Sequence, residues 1–139
     1  MNRALGIDHG DARIGLAISD DLGMMAHPLS TLKVKEGDPI KAIAAVVERE
    51  RIGNIVLGIP RNMDGSYGPA AEKVRAFAVI LRAAVPCPVH TWDERMSTQA
   101  AQRALHEAGR NVKNSREVID QVAAIHILQG WLDSQALLG

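Results

Sequence analysis

Arg3-Ala4-Leu5-Gly6-Ile7-Asp8-His9-Gly10-Asp11-Ala12-Arg13-Ile14-Gly15-Leu16-Ala17-Ile18-Ser19 is the stretch that decides the fold. Residues 3–9 read as a strand, Gly10 to Ala12 as a turn, and Arg13 to Ser19 as a second strand with Ile14, Leu16 and Ile18 alternating. So short a gap favours an antiparallel hairpin. Asp20 to Gly23 marks another turn, and Met24 to Leu32 supplies a third strand, which Pro28 assigns to a sheet edge. Asp8 interrupts the first strand on the face of Ala4 and Gly6, while Leu5 and Ile7 point the other way. Its small neighbours leave room for an ion or a substrate.

The pattern then changes period. Asp38-Pro39 is a helix start, followed by Ile40, Ile43, Ala44 and Val47 at helical spacing. Asn54 to Ile59 is an apolar run of parallel-strand type, and Pro60 to Pro69 is a loop. Val74, Phe77, Ala78 and Leu81 define a second helix, and Pro88 to Trp92 a fifth strand. Ser97 or Thr98 caps a further helix with Ala101, Ala104, Leu105 and Ala108 on one face. Asn114 and Glu117 form a capping-box pattern for a long last helix. A hairpin meander followed by helix–strand repeats predicts an α/β fold with a mixed sheet flanked by helices.

Two more acids stand out beside Asp8. Glu94 lies at the carboxyl end of the fifth strand, where ligand sites of open α/β sheets gather, with Asp93 competing for the role. Asp120 lies on an apolar helical stripe with Ala123, Ala124 and Ile127. Buried carboxylates are costly unless paired or bound to a metal. Acids on three separate elements therefore point to a hard divalent cation held by oxygen ligands. Two Mg²⁺ or Mn²⁺ ions ~3.5–4 Å apart would suit phosphodiester hydrolysis. His9, His27, His90, His106 and His126 lack zinc-ligand spacing. His9 alternates to the strand face opposite Asp8, and His126 reads as a satisfied, partly buried histidine.

With 139 residues, 47% of them hydrophobic, the chain can bury a real core as a single domain over 1–139. Lys plus Arg equals Asp plus Glu at 16 each, which excludes wholesale electrostatic capture of nucleic acid. A local patch is available at Arg95, Arg103, Arg110, Lys113 and Arg116, opposed only by Glu107. The lone Cys87 rules out an intrachain disulfide and, between two prolines, reads as a small buried residue. No signal-peptide-like or membrane-spanning run is visible, so a cytoplasmic protein without membrane association is expected. The four aromatic residues argue against a stacking platform for single-stranded bases.

Four segments in order resemble the YqgF/RuvX-like proteins. They are Leu5-Gly6-Ile7-Asp8-His9-Gly10 with Arg13-Ile14-Gly15-Leu16-Ala17; Gly58-Ile59-Pro60-Arg61-Asn62-Met63-Asp64-Gly65-Ser66; Asp93-Glu94-Arg95-Met96-Ser97-Thr98; and Asp120-Gln121-Val122-Ala123-Ala124 with Ile127-Leu128-Gln129. The resemblance implies an RNase H-like domain, a five-stranded mixed sheet whose first three strands are antiparallel. It implies a metal-dependent nuclease that matures the 5′ end of pre-16S rRNA, using Mg²⁺ or Mn²⁺ at Asp8, Glu94 and Asp120. Gly10 and Gly15 would let the hairpin approach a phosphate backbone. Arg13, Arg61 and Arg95 would contact phosphate, with Lys113 and Arg116 in the same substrate-binding set. The alternatives are a Holliday junction resolvase-type DNA endonuclease acting on branched DNA, and a non-catalytic ribosome-assembly or nucleic-acid-binding factor. Monomer and homodimer both stay open. The stretch Arg110 to Arg116 is less basic than is usual in the family, which lowers the expected salt dependence of binding.

Overall fold

The computed structural model describes residues 3–95 and 116–138, with side chains from 119 onward in the second segment. β1 (Arg3–His9) and β2 (Arg13–Ser19) form the antiparallel hairpin, with Asp8 opposite Gly15. β3 (Ala26–Lys33) lies at the sheet edge, antiparallel to β2. Pro28 sits there beside Ala17, where the pairing slips, so its missing N–H costs no regular ladder bond. A 3-10 turn (Val34–Glu36) leads into α1 (Pro39–Arg49). Asp38 caps α1: its Oδ1 accepts from the Ile40 N–H at 2.9 Å, and Pro39 takes the first position, where an N–H has no helical partner.

β4 (Ile52–Ile59) starts two residues before the apolar run at Asn54 and pairs parallel with β1, Ile7 opposite Leu57. α2 (Pro69–Ala84) crosses over to β5 (Val89–Asp93), which is parallel to β4. The strand order is β3-β2-β1-β4-β5, so the sheet is five-stranded and mixed, with the first three strands antiparallel. α3 (Arg116–Leu138) is the long last helix. The helix expected after Ser97 or Thr98, and Asn114 of the capping box, lie outside the described residues. Among the described residues no helix is long and apolar enough to cross a membrane.

The two faces of the sheet are covered differently, as the alternation in β1 and β2 requires. Leu5, Ile7, Ile14, Leu16, Ile55 and Leu57 are buried with Ile43 of α1 and with Phe77 and Leu81 of α2. On the other face the sheet offers Ala4, Ala17 and Val56, which pack with Ala124, Ile127 and Leu128 of α3. Small side chains let α3 come close. At Gly15 an added Cβ would fall on the backbone carbonyl of Asp120, and at Gly6 it would lie 2.6 Å from Leu128 Cβ. A glycine in a strand interior costs roughly 0.5–1 kcal/mol in chain entropy. Here that cost is offset by the contact surface that a larger residue would hold apart.

Gly15→Ala should therefore lower stability by about 1–3 kcal/mol, because backbone and not a flexible side chain occupies the site. Urea unfolding monitored by circular dichroism reads this directly. A loss below about 0.5 kcal/mol, the range of neutral surface changes, would mean that α3 is not seated on β2 as described.

Candidate metal and nucleic-acid site

β1 and β5 flank β4, and both run parallel to it. Their carboxyl ends therefore emerge on the same edge of the sheet. Asp8 is the next-to-last residue of β1, and Glu94 directly follows β5, tied to the end of β4 by its N–H on the Ile59 carbonyl at 3.2 Å. Gly58 lies between them on β4, one residue beyond the Ile7–Leu57 pair. Having no side chain, it leaves the space into which Glu94 folds back. A Cβ there would come within 2.7 Å of Glu94 Oε1 and would also collide with Ile127.

Across that gap the two carboxyl groups are hydrogen-bonded to each other. Burial, then the negative charge of Asp120, push Asp8 up to about 6. Burial, then the negative charge of Asp8, push Glu94 up to about 7. Both carboxyl groups are thus held above the ordinary carboxylate range, by burial first and by neighbouring negative charge second, so a proton is kept at the pair near neutrality.

Asp120 approaches from α3, close enough for its charge to act on Asp8. Its Oδ2 is taken by Arg13 Nε at 2.8 Å, an ion pair with both side chains partly buried. Among the described residues no three acidic, histidine or cysteine side chains close on one point. The expected set of three carboxylates is thus present as a hydrogen-bonded pair and a third member drawn aside by a cation of the chain itself. Asp8 and Glu94 fit a divalent ion in chemistry: they are partly buried oxygen donors, close enough together to share a hydrogen bond.

The arginines expected at phosphate are all engaged. Arg13 holds Asp120. Arg61 donates through Nε to the Gly65 carbonyl at 2.9 Å, again to that oxygen through Nη2, and to Asp93 Oδ2 at 3.4 Å. Arg95 donates to both oxygens of Asp93 and to the Asn62 carbonyl. Arg61 and Arg95 share the rim beside Glu94. Lys113 and the side chain of Arg116 lie outside the described residues. Gly10 and Gly15 have structural neighbours in place of an open approach: an added Cβ at Gly10 would meet the Arg13 carbonyl at 2.5 Å, and the space above Gly15 belongs to α3.

The histidines divide. His9 lies on the α2 face against Phe77, ring centroids 4.6 Å apart, and burial lowers its pKa. His126, expected to be satisfied, has a buried Nδ1 without a hydrogen-bond partner among the described residues, and burial holds its pKa down. The half-buried Cys87 thiol is pushed up by burial, which suits packing and not nucleophilic work. Sequence reasoning missed Gly58 as the residue that lets Asp8 and Glu94 meet. Its signal was a glycine closing an otherwise apolar parallel strand.

A sheet of this order, with carboxylates gathered at the ends of β1 and β5 and on the last helix, defines an RNase H-like domain. The family described as "RuvX: Holliday junction resolvase" matches residues 2–134, and the chain belongs to it. Among curated relatives, proteins of Pelotomaculum thermopropionicum (47% identical over 96% of this chain and 88% of theirs) and Halalkalibacterium halodurans (45% over 97% and 99%) both carry the name "Putative pre-16S rRNA nuclease". Among solved structures, Thermus thermophilus RuvC in complex with a Holliday junction substrate superposes with a TM-score of 0.61 at 17% identity, covering 98% of this chain and 96% of that one. At that identity the likeness establishes the fold.

The shared proton has a consequence for stability. In the unfolded chain both acids return to ordinary values near 4, so between about pH 4 and pH 7 the folded state binds more protons than the unfolded state. Stability from these groups is fully present below about pH 4 and is lost as pH rises through 6 to 7. Counting one shared proton and discounting for screening, the loss is on the order of 2 kcal/mol. In chelator, the thermal midpoint should fall between pH 5 and pH 8, and Asp8→Asn should flatten that fall. A midpoint that rises over this range in wild type and variant alike would show that the pair shares no proton.

Proposed function

We propose that this chain is a divalent-metal-dependent nuclease that hydrolyses phosphodiester bonds in RNA, with the 5′ region of pre-16S rRNA as its substrate. The observation that carries the reading is the proton-sharing pair Asp8–Glu94 at the carboxyl edge of the sheet, with Asp120 beside it. Family membership and the names of the relatives agree with it. Asp8 and Glu94 would hold Mg²⁺ or Mn²⁺, with Asp120 joining on release from Arg13. When bound, the ion supplies Lewis-acid polarisation and neutralises phosphate charge. The chain's own residues do the rest. With both carboxyls ionised, the pair would present two charged oxygen donors to the ion. Arg13, once parted from Asp120, is a free guanidinium at the mouth of the hairpin and can take a phosphate oxygen. Arg61 and Arg95 orient the strand on the other side. The family description supports a second reading, cleavage of four-way DNA junctions. We further propose a cytoplasmic location, as rRNA processing requires.

Asp8→Asn, Glu94→Gln and Asp120→Asn should each lower cleavage of a pre-16S leader RNA by at least about a hundredfold, the scale of a lost acid–base or ligand group, while the fold is kept. The same assay, run in Mg²⁺ and in Mn²⁺, includes a four-way junction. Faster, paired cutting of the junction would transfer the reading to the resolvase alternative. Wild-type turnover in any of the variants would remove that residue from the site.

Metal binding by the free protein should be weak and should tighten as pH rises from 6 to 8. The ion must displace the shared proton and compete with Arg13 for Asp120. Titration calorimetry at three pH values tests this, and tight binding that is the same at pH 6 and pH 8 would contradict it.

A further inference from the structure

The segment between β4 and α2 is built around one carboxylate that no part of the cleavage chemistry requires. Residues 60–68 close on themselves. The Asn62 N–H bonds to the Ser66 carbonyl at 2.9 Å, and the Gly65 N–H to the Asn62 carbonyl at 2.9 Å. Asp64 Oδ1 accepts from the Ser66 N–H at 2.9 Å, and Gly65 takes a left-handed φ of +89°. This turn aims the Gly65 carbonyl back at Arg61 and leaves the Asn62 carbonyl facing Arg95. Both guanidiniums then converge on Asp93. Its Oδ2 accepts from Arg61 Nη1 at 3.4 Å and from Arg95 Nη2 at 2.9 Å, and its Oδ1 from Arg95 Nε at 3.2 Å.

The same Oδ1 accepts the Arg95 backbone N–H at 2.9 Å. That is an Asx-type turn, and the residue it spans is Glu94. One side chain thus shapes the backbone that aims Glu94 and holds both arginines of the rim. The Asp93 side chain is only 14% exposed, against 28% for Arg61 and 38% for Arg95, so the acid lies beneath its partners. Asp93 is the carboxylate both guanidiniums bond, while Asp64 of the 60–68 loop lies close enough to Arg95 for its charge to act there. Each guanidinium has five N–H donors. Hydrogen bonds within the described residues use Nε and one N–H on each Nη of both arginines, so two N–H on each have no hydrogen-bond partner among the described residues. An ordinary surface ion pair neither sits below its cations nor spans a proposed catalytic residue.

We infer that Asp93 is the positioning residue of this site, fixing Arg61 and Arg95 as a two-guanidinium clamp for a phosphate of the substrate strand adjoining the bond that Glu94 faces. The inference rests on the nuclease reading and assigns it a substrate contact on the loop side of the sheet. Tyr67 extends the clamp outward, with Arg61 stacked at 4.6 Å and Arg75 at 4.1 Å from its ring centroid.

The test separates positioning from attraction. Asp93→Asn removes a negative charge near the substrate, so a fluorescent leader RNA in EDTA should bind at least as tightly as to wild type. Single-turnover cleavage at saturating RNA should nevertheless fall tenfold or more. Arg61→Ala should weaken binding and slow cleavage, and adding it to Asp93→Asn should slow cleavage less than twofold further, because the two changes disable one unit. Unchanged saturating cleavage in Asp93→Asn, or fully multiplicative losses, would overturn the clamp. If Asp93→Asn does not fold, Arg61→Ala, Arg95→Ala and their combination carry the same test: the clamp requires a combined loss smaller than the product of the single losses.

Should wild type cut no RNA, the nuclease reading fails separately. The clamp is then read from the Arg61 and Arg95 Nε–H resonances of the free protein. Loss of their exchange protection together in Asp93→Asn sustains it, and unchanged protection in the variant overturns it.

Discussion

α3 can lie against the sheet at this distance only where the strands beneath it lack side chains. Gly15 receives the Asp120 carbonyl, Gly6 receives Leu128, and Gly58 receives Ile127 together with the Glu94 carboxyl group. Everything at the site follows from that close seating. It brings Asp120 near Asp8, and it closes the space over Gly58 so that burial acts on Asp8 and Glu94. A face built of larger residues would push the helix outward and rehydrate the acids, and their pKa values would relax toward those of ordinary carboxylates. The opposite face, filled by Leu, Ile and Phe against α1 and α2, carries the bulk of the apolar burial.

Within this frame the electrostatics are arranged around neighbouring carboxyl groups. Two acids meet at one end of the sheet with a third beside them, and the chain answers with two devices: a proton kept at the Asp8–Glu94 pair, and Arg13 on Asp120. Both are reversible. A proton leaves when a stronger Lewis acid competes for the same oxygens, and an arginine can exchange a carboxylate for a phosphate of similar geometry. The metal-free protein is thereby kept from the full cost of clustered buried charge.

The loop side of the site follows a different logic. Arg61 and Arg95 are held at defined points by backbone carbonyls and by Asp93, and the turn at Gly65 sets those carbonyls in place. Guanidiniums fixed in advance lose little freedom on meeting a phosphate. This compensates for a chain with no net charge, which cannot draw nucleic acid from a distance.

Periodicity alone determined the elements. The alternation of Ile14, Leu16 and Ile18, the Asp38-Pro39 start and the apolar run before Pro60 are local signals, and local sterics and hydrogen bonding enforce them whatever surrounds them. The choice of Asp8, Glu94 and Asp120 as candidates was also legible, because an acid inside an apolar pattern is conspicuous in one dimension. Their mutual arrangement was not. That Asp8 and Glu94 would keep a proton at the pair, that Arg13 would take Asp120, and that Gly58 would give Glu94 its place all depend on residues from separate elements meeting in space. Asp93 shows the same limit: in sequence it is a second acid next to Glu94 and near Arg95, and only the folded loop adds Arg61. Local chain chemistry sets each element's form, while charge, burial and close approach act through distance, and those distances exist only once the sheet and α3 have packed.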